Sequence, residues 1–466
     1  MSSVRERLAQ IVGKSYFSDA PEERFIYSRD PGLQKPHAPD FVVMPGSVEE
    51  VQEILRLANA EKIPVVPMGG GLVLSGLTIP LRGGIVLDMK RMNRMLEVNE
   101  TSRYAVVEGG ASQGMLKAYL EKHHPALKHS LPDAPPIATI AGNVAIHGSG
   151  HLSQSEGGFH SEMVTGLEVV LPTGEVVKLG SCSTVPGWFS RAPLPDLVGL
   201  FLGWNGTTGI ITKIGVKLFP KPRLEDVLVF MTEDIETIPD IITRVTATEL
   251  AEDLTLSIAP KPDWLRGFQL TIINVVANSE SEMKFRKRVI IGTLSEGAYF
   301  HNKEAGFLPL PPNMKSTFMD APQKILSSFA DVMKGGGFEY VGSIMPVEKL
   351  PEACLAGVDI AERNDVAYSL GARVIGRGHC IMFFNAYPFN RADPDNMTRA
   401  ARALEDTNEV ALRIGGIPWK AEYSAQQQIL KQMDPNTYRL MERIKKVLDP
   451  NGIMNPGNWE VEAYGI

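Results

Sequence analysis

Cysteine is scarce in this 466-residue chain: Cys182, Cys354 and Cys380 are far apart and form no CxxC pair. They cannot build a disulfide framework, a zinc site or an iron–sulfur cluster. Metal-cluster electron transfer would therefore take place in another subunit, and a reducing, cytoplasmic location is expected. Long apolar runs are missing as well. No stretch approaches the roughly 18–20 residues of a membrane span, and Met1–Gly13 is charged and helix-like, without the apolar core of a signal peptide. The chain reads as soluble, or peripheral through a partner, with no transmembrane segment. A basic excess is also absent, with 47 Lys+Arg against 54 Asp+Glu and a net charge of −7. With no basic stripe to offset that balance, nucleic acid is excluded as a partner.

What is present is an ordinary globular composition, 44% hydrophobic and 22% charged. The chain is too long for one core, so two or three domains are expected. Phe41–Met44 reads as a buried strand and Ile63–Pro67 as a second. Between them Ser47 and Glu50 form a capping box, opening a helix through Val51, Ile54, Leu55, Leu57 and Ala58. Further strands are read at 84–88, 104–108 and 164–171. The last is followed by a hairpin turn at Pro172–Glu175 leading into Val176–Leu179. Gly114–His123 is an amphipathic helix, and 129–161 is a long irregular glycine-rich segment of the kind that usually carries function. Beyond about 224, strands and helices alternate without glycine clusters, through 226–231, 238–250, 254–260, 268–275, 282–296, 322–334, 338–346 and 378–387. A helix at Tyr438–Leu448 ends in Asp449-Pro450-Asn451-Gly452.

Four glycine clusters stand out in the front half: Pro67–Gly76, Gly109-Gly110, Gly142 with Gly148–Gly150, and Gly206–Gly209. Glycine permits positive φ and close approach of backbone to a ligand. Successive free amides can then form a nest for an anion such as a pyrophosphate. The first cluster is no Rossmann fingerprint, because a loop and another strand follow it where that motif needs a helix.

In their order and spacing these segments resemble the FAD-binding domain of the vanillyl-alcohol-oxidase superfamily. The likeness is carried by Phe41–Val51, Pro67–Gly76, Pro132-Asp133, Ala138–Asn143, Leu200–Thr212 and the closing Leu448–Gly457. It is strongest to the branch of the glycolate oxidase large subunit and the FAD-linked D-lactate and D-2-hydroxyglutarate dehydrogenases. The resemblance implies an α+β fold: a two-lobed FAD-binding domain of the p-cresol methylhydroxylase type over 1–223, an α+β cap or substrate domain over 224–425, and a C-terminal segment, 426–466, completing the FAD domain. It implies that Gly69, Gly70, Gly71, Ser75 and Gly76 hold the pyrophosphate, with Pro67 and Leu72 in the same loop. Pro132, Asp133, Thr139, Gly142, Asn143, Gly148 and Ser149 would line the flavin. Ile210 and Ile211 would offer backbone contacts near the adenine or ribitol, and Asn455 would touch the isoalloxazine side. With no histidine between Pro67 and Gly76, the FAD is expected to be non-covalent.

The branch also carries a metal motif, GHxGDGNxH, and a later EHG. Here the first segment reads Gly378-His379-Cys380-Ile381-Met382-Phe383-Phe384-Asn385-Ala386 and the second lacks EHG, so no metal is expected. His379 is the candidate base, taking the hydroxyl proton while hydride leaves for flavin N5. Arg373 and Arg377 are candidates to clamp a carboxylate. Trp419-Lys420 sits where the phenol-oxidising branch has an aromatic and a basic residue, making Lys420 a fourth catalytic candidate. The expected function is oxidation of a small 2-hydroxy acid, with electrons passed to an iron–sulfur or electron-transfer-flavoprotein subunit in a homo- or hetero-oligomer. Oxidation of a phenolic or bulky alcohol, and a mainly scaffolding flavoprotein subunit, are the alternatives.

Overall fold

The computed structural model describes residues 3–258, 267–302, 305–312, 315 and 336–461. Near the N-terminus, strands Phe41–Val43, Ile85–Asp88 and Val65–Met68 lie side by side in parallel, with Phe17–Ser18 antiparallel at the edge. Helix Val48–Glu61 covers them with the apolar stripe that its spacing predicts, burying Val51, Ile54, Leu55, Leu57 and Ala58. The capping box is only half made. Ser47 Oγ accepts from the Glu50 amide at 3.2 Å, but the Glu50 carboxylate accepts from the Gly46 amide at 2.7 Å, one residue earlier than the box requires. Arg91 Nη1 stands 3.4 Å from that carboxylate.

A second sheet is antiparallel, in the order Met95–Asn99, Tyr104–Glu108, Ile210–Lys217, Val164–Val170, Val176–Gly180. The hairpin read at Pro172–Glu175 joins its last two strands. The irregular segment 129–161 remains mostly turns, with one short helix, Ile140–Val144.

The third sheet has eight antiparallel strands, beginning in sequence at Leu224–Thr232. Its spatial order is Ala305–Phe307, Leu224–Thr232, Gln269–Ala277, Asp253–Ile258, Ser369–Ile375, Cys380–Asn390, Gly336–Met345, Ile417–Trp419. Alternation along these strands divides the chemistry between the two faces. Leu254, Leu256, Ala372, Val374, Ile381, Phe383 and Val341 enter one core with helices Ile238–Ala247, Glu280–Ser295, Leu350–Arg363 and Pro394–Ile414. The intervening Asp253, Arg373, Phe384 and Tyr340 are left for the opposite face. The expected element at 322–334 lies outside the described residues.

After helices Tyr423–Gln432 and Pro435–Leu448 the chain returns to the first sheet. Met454 bridges Val65 in parallel: the Val65 amide donates to Ile453 O at 2.7 Å, and the Asn455 amide donates to Val65 O at 2.8 Å. Ile453 and Met454 are buried in the same core as Val43 and Ile54. The turn that allows this is built on Asp449, whose buried carboxylate accepts from the amides of Ile453 (3.0 Å) and Met454 (2.8 Å) and from Lys445 Nζ (2.6 Å). Among the described residues, no helix is long and apolar enough to cross a membrane.

Replacing Asp449 by Ala leaves Lys445 without its carboxylate and two buried amides without an acceptor. We expect a loss of about 3 kcal/mol or more, read as an earlier urea midpoint at unchanged m-value.

Candidate active site

The glycine-rich loop Gly69–Leu74 leaves the end of strand Val65–Met68 and forms one wall of a cleft enclosing about 380 Å³. That is within the usual size of a small-molecule site. The other walls come from 132–149, from Phe201 to Ile211, and from the eight-stranded sheet through Phe338, Tyr340, Trp419 and Lys420. Among the described residues, no backbone N–H from Gly70 to Leu74 donates to another protein group. Gly71 and Leu74 both have φ +67°, and such left-handed steps turn successive amides into an anion nest. The loop is also held too close for side chains: a Cβ on Gly69 would stand 2.1 Å from Thr139 Oγ1. Free amides on a bare backbone, beside a mostly apolar cleft, fit a pyrophosphate with a flat ring system attached.

Pro67, Gly69, Gly70, Gly71, Leu72, Pro132, Asp133, Gly142, Asn143, Ser149, Ile210 and Ile211 all line the cleft. Five expected contact residues stand behind it. Ser75 is buried under the loop, its hydroxyl on Val73 O at 3.3 Å, and the Gly76 amide donates to Asp30 at 2.7 Å. Thr139 caps the helix Ile140–Val144, accepting from the Gly142 amide at 3.2 Å. Gly148 packs on the Asn143 side chain. Asn455 donates to Leu77 O (3.0 Å) and Asn205 O (2.7 Å), tying the C-terminal return to the cleft wall. These residues shape the backbone that a ligand meets.

Three of the four catalytic candidates, His379, Arg377 and Arg373, stand outside the cleft lining. His379 and Arg377 are exposed, in the turn between strands Ser369–Ile375 and Cys380–Asn390, and Arg377 pairs with Glu249 at 3.1 Å. The turn carries both outside the cleft lining. Arg373 is buried, and its donors are already engaged. Nε and Nη2 bind Asp133 bidentately (2.9 and 2.6 Å), while Nη1 binds Asp253. A substrate carboxylate finds no free fork there. Arg373 instead holds Asp133, which does line the cleft. None of His147, His151 and His160 lines the cleft either.

Lys420 does. It has φ +53° and places Nζ 4.7 Å from the ring centre of Tyr340 and 4.4 Å from that of Trp419. Burial pulls its ammonium down to about 8, against the opposing pull of Glu339, Asp133 and Asp30. Trp419 is anchored by Nε1, which donates to Ile146 O (3.1 Å) and His147 O (2.9 Å), and Tyr340 stacks on Phe384 at 5.1 Å. Phe338 and Tyr340 were not anticipated as site residues. Their signal was available in the period-two alternation of 336–345, which sends both to the face opposite Val341.

With this geometry in view, comparison with known proteins is decisive. The family described as FAD binding domain matches residues 39–180, and FAD linked oxidases, C-terminal domain, matches 334–459. The chain belongs to the FAD-linked oxidoreductases of the vanillyl-alcohol-oxidase type. FAD is its cofactor, and it is an enzyme of the FAD-linked oxidase/dehydrogenase class. Glycolate oxidase subunit GlcD of Bacillus subtilis is 27% identical over 97% of this chain and 96% of its own length. The 4-cresol dehydrogenase [hydroxylating] flavoprotein subunit of Pseudomonas putida is 31% identical, over 48% of this chain and 43% of its own. The crystal structure of p-cresol methylhydroxylase with substrate bound superposes with a TM-score of 0.84 at 19% identity, covering 98% of this chain and 96% of that one. That likeness is one of fold.

Removing the guanidinium by Arg373→Met strands the buried Asp253 and leaves the half-buried Asp133 without its bidentate partner. A loss of about 3–5 kcal/mol is expected, measured by denaturant unfolding of the FAD-loaded protein.

Proposed function

We propose that this FAD-linked oxidoreductase oxidises the hydroxyl-bearing carbon of a small 2-hydroxy acid, with Lys420 pairing the substrate carboxylate. The observation that carries this reading is the Lys420 ammonium. It lines the cleft between two aromatic faces, and Arg373, the strongest alternative cation, is committed to Asp133 and Asp253. In a poorly solvated cleft a single cation selects strongly for an anion. Asp133, held in place by Arg373, is the acceptor on the same cleft that would take a hydrogen bond from the substrate hydroxyl. When bound, FAD supplies the hydride acceptor.

The three scattered cysteines, with Cys182 and Cys354 buried, support passage of the electrons to a separate subunit bearing iron–sulfur centres or a second flavin. Glycolate oxidase subunit GlcD, a relative matched over nearly its full length, is itself named a subunit. A second reading has its own observation. Phe338, Tyr340 and Trp419 give that end of the cleft an aromatic lining, which suits a phenol, with Lys420 then facing the phenolate.

Anaerobic titration decides between them. Bleaching of the flavin by 2-hydroxy acids is expected, whereas bleaching by 4-alkylphenols alone would replace the first reading with the second. Lys420→Met should raise KM for the hydroxy acid about 10- to 100-fold with FAD retained. The pH dependence has a definite sign. The folded-state pKa is lowered to about 8, so the ammonium is charged below that value. Affinity for the anion should be full at pH 6–7 and KM should climb as pH passes 8. A KM flat from pH 6 to 9 would remove Lys420 from this role.

A further inference from the structure

Behind Asn143 lies a short buried chain of polar groups whose protons can be counted. His160 Nδ1 meets the Asn143 amide at 2.5 Å, and His160 Nε2 meets Ser130 Oγ at 2.7 Å. Ser130 Oγ is also in contact with the carbonyl oxygen of His151. His160 and Ser130 are both buried, and among the described residues no carboxylate bonds to either.

The count starts from the carbonyl. It has no proton, so the single hydroxyl proton of Ser130 is spent on His151 O. Ser130 Oγ can therefore only accept from His160, and Nε2 must carry the hydrogen. A buried imidazole without an anionic partner stays neutral; burial pushes His160 down to about 3. Its Nδ1 is then a bare lone pair, and the Asn143 atom facing it, placed as Oδ1, has to be the NH2 nitrogen. Amide oxygen and nitrogen are interchangeable in shape, so the bonding network decides their assignment. The amide oxygen consequently points away from His160. Asn143 lines the cleft, and Gly148 packs on the face of its amide, so closely that a Cβ there would collide with it.

We propose that Ser130 and His160 are positioning residues: they lock Asn143 so that its carbonyl oxygen, not its NH2, faces the flavin cleft as an acceptor for an N–H or O–H of the bound FAD. A cleft wall lined with free backbone donors at Gly70–Leu74 thus gains an oriented acceptor on the opposite side. The inference concerns the cofactor and holds whichever alcohol is oxidised.

The test uses the FAD-loaded enzyme labelled with ¹⁵N-histidine, with His160 assigned by the signal lost in His160→Gln. The neutral Nε2–H tautomer is expected at every pH from 6 to 8. An Nδ1–H tautomer or an imidazolium would overturn the proposal, and this measurement on the parent protein needs no substitution to fold. Ser130→Ala releases the lock. It should weaken FAD binding about tenfold, as expected when one acceptor is free to turn into a donor, and give a mixed His160 tautomer. Ser130→Thr should restore both. An alanine variant with parental FAD affinity and an unchanged tautomer would overturn the proposal equally.

Discussion

The guanidinium of Arg373 is held between Asp133 and Asp253, and that contact governs how the eight-stranded sheet sits on the glycine-rich half. It continues outward. His151 bonds Glu252 at 2.7 Å and stands 3.6 Å from Asp253, while Lys128 bonds Glu252 at 2.5 Å. Lys128, Asp133 and His151 come from one side of the seam, and Glu252, Asp253 and Arg373 from the other. Three cations thus face three anions, which is the condition under which charge can be taken out of water at tolerable cost. Burial works against the charge on His151, but Glu252 and Asp253 outweigh it and raise its pKa. Ion pairs of this kind add little net stability but penalise misplacement heavily, so they set register. The seam carries Asp133 into the cleft and leaves Lys420 as the cation facing it.

The glycine-rich half was legible because its constraints are local. A bare loop after a strand, a capped helix with a clear apolar stripe and a hairpin turn each announce themselves over a few residues, and all appear where the pattern puts them. The cleft lining followed for the same reason, as with Gly69, Gly70, Asn143 and Ile210. Residues such as Ser75, Thr139 and Asn455 belong to the same motifs, yet they support the wall from behind, and sequence order cannot separate a contact from its support.

The chemistry of the far wall was less legible, because it depends on which face of a strand meets the other half. Arg373 looked available for a substrate, but its partners Asp133 and Asp253 lie 240 and 120 residues away, and no local pattern joins them. His379 sits at the place the family resemblance marks, but in this chain that place is a surface turn. Lys420 needed only its two aromatic neighbours to become distinctive, and only one of them is adjacent in sequence. Helix Leu350–Arg363 and strand Ser369–Ile375 also went unread, although both are central to the core.

The parallel bridge between Val65 and Met454 has a consequence for how the molecule is made. The first sheet borders the cofactor loop at one end and the return segment at the other, so its edge at Val65 stays open until Met454, far along the chain, has emerged from the ribosome. During synthesis the nascent front half must wait, with Val65 unpaired and its core short of Ile453 and Met454, while the long eight-stranded sheet is still being assembled. Such late closure exposes apolar surface and a free strand edge to neighbouring chains.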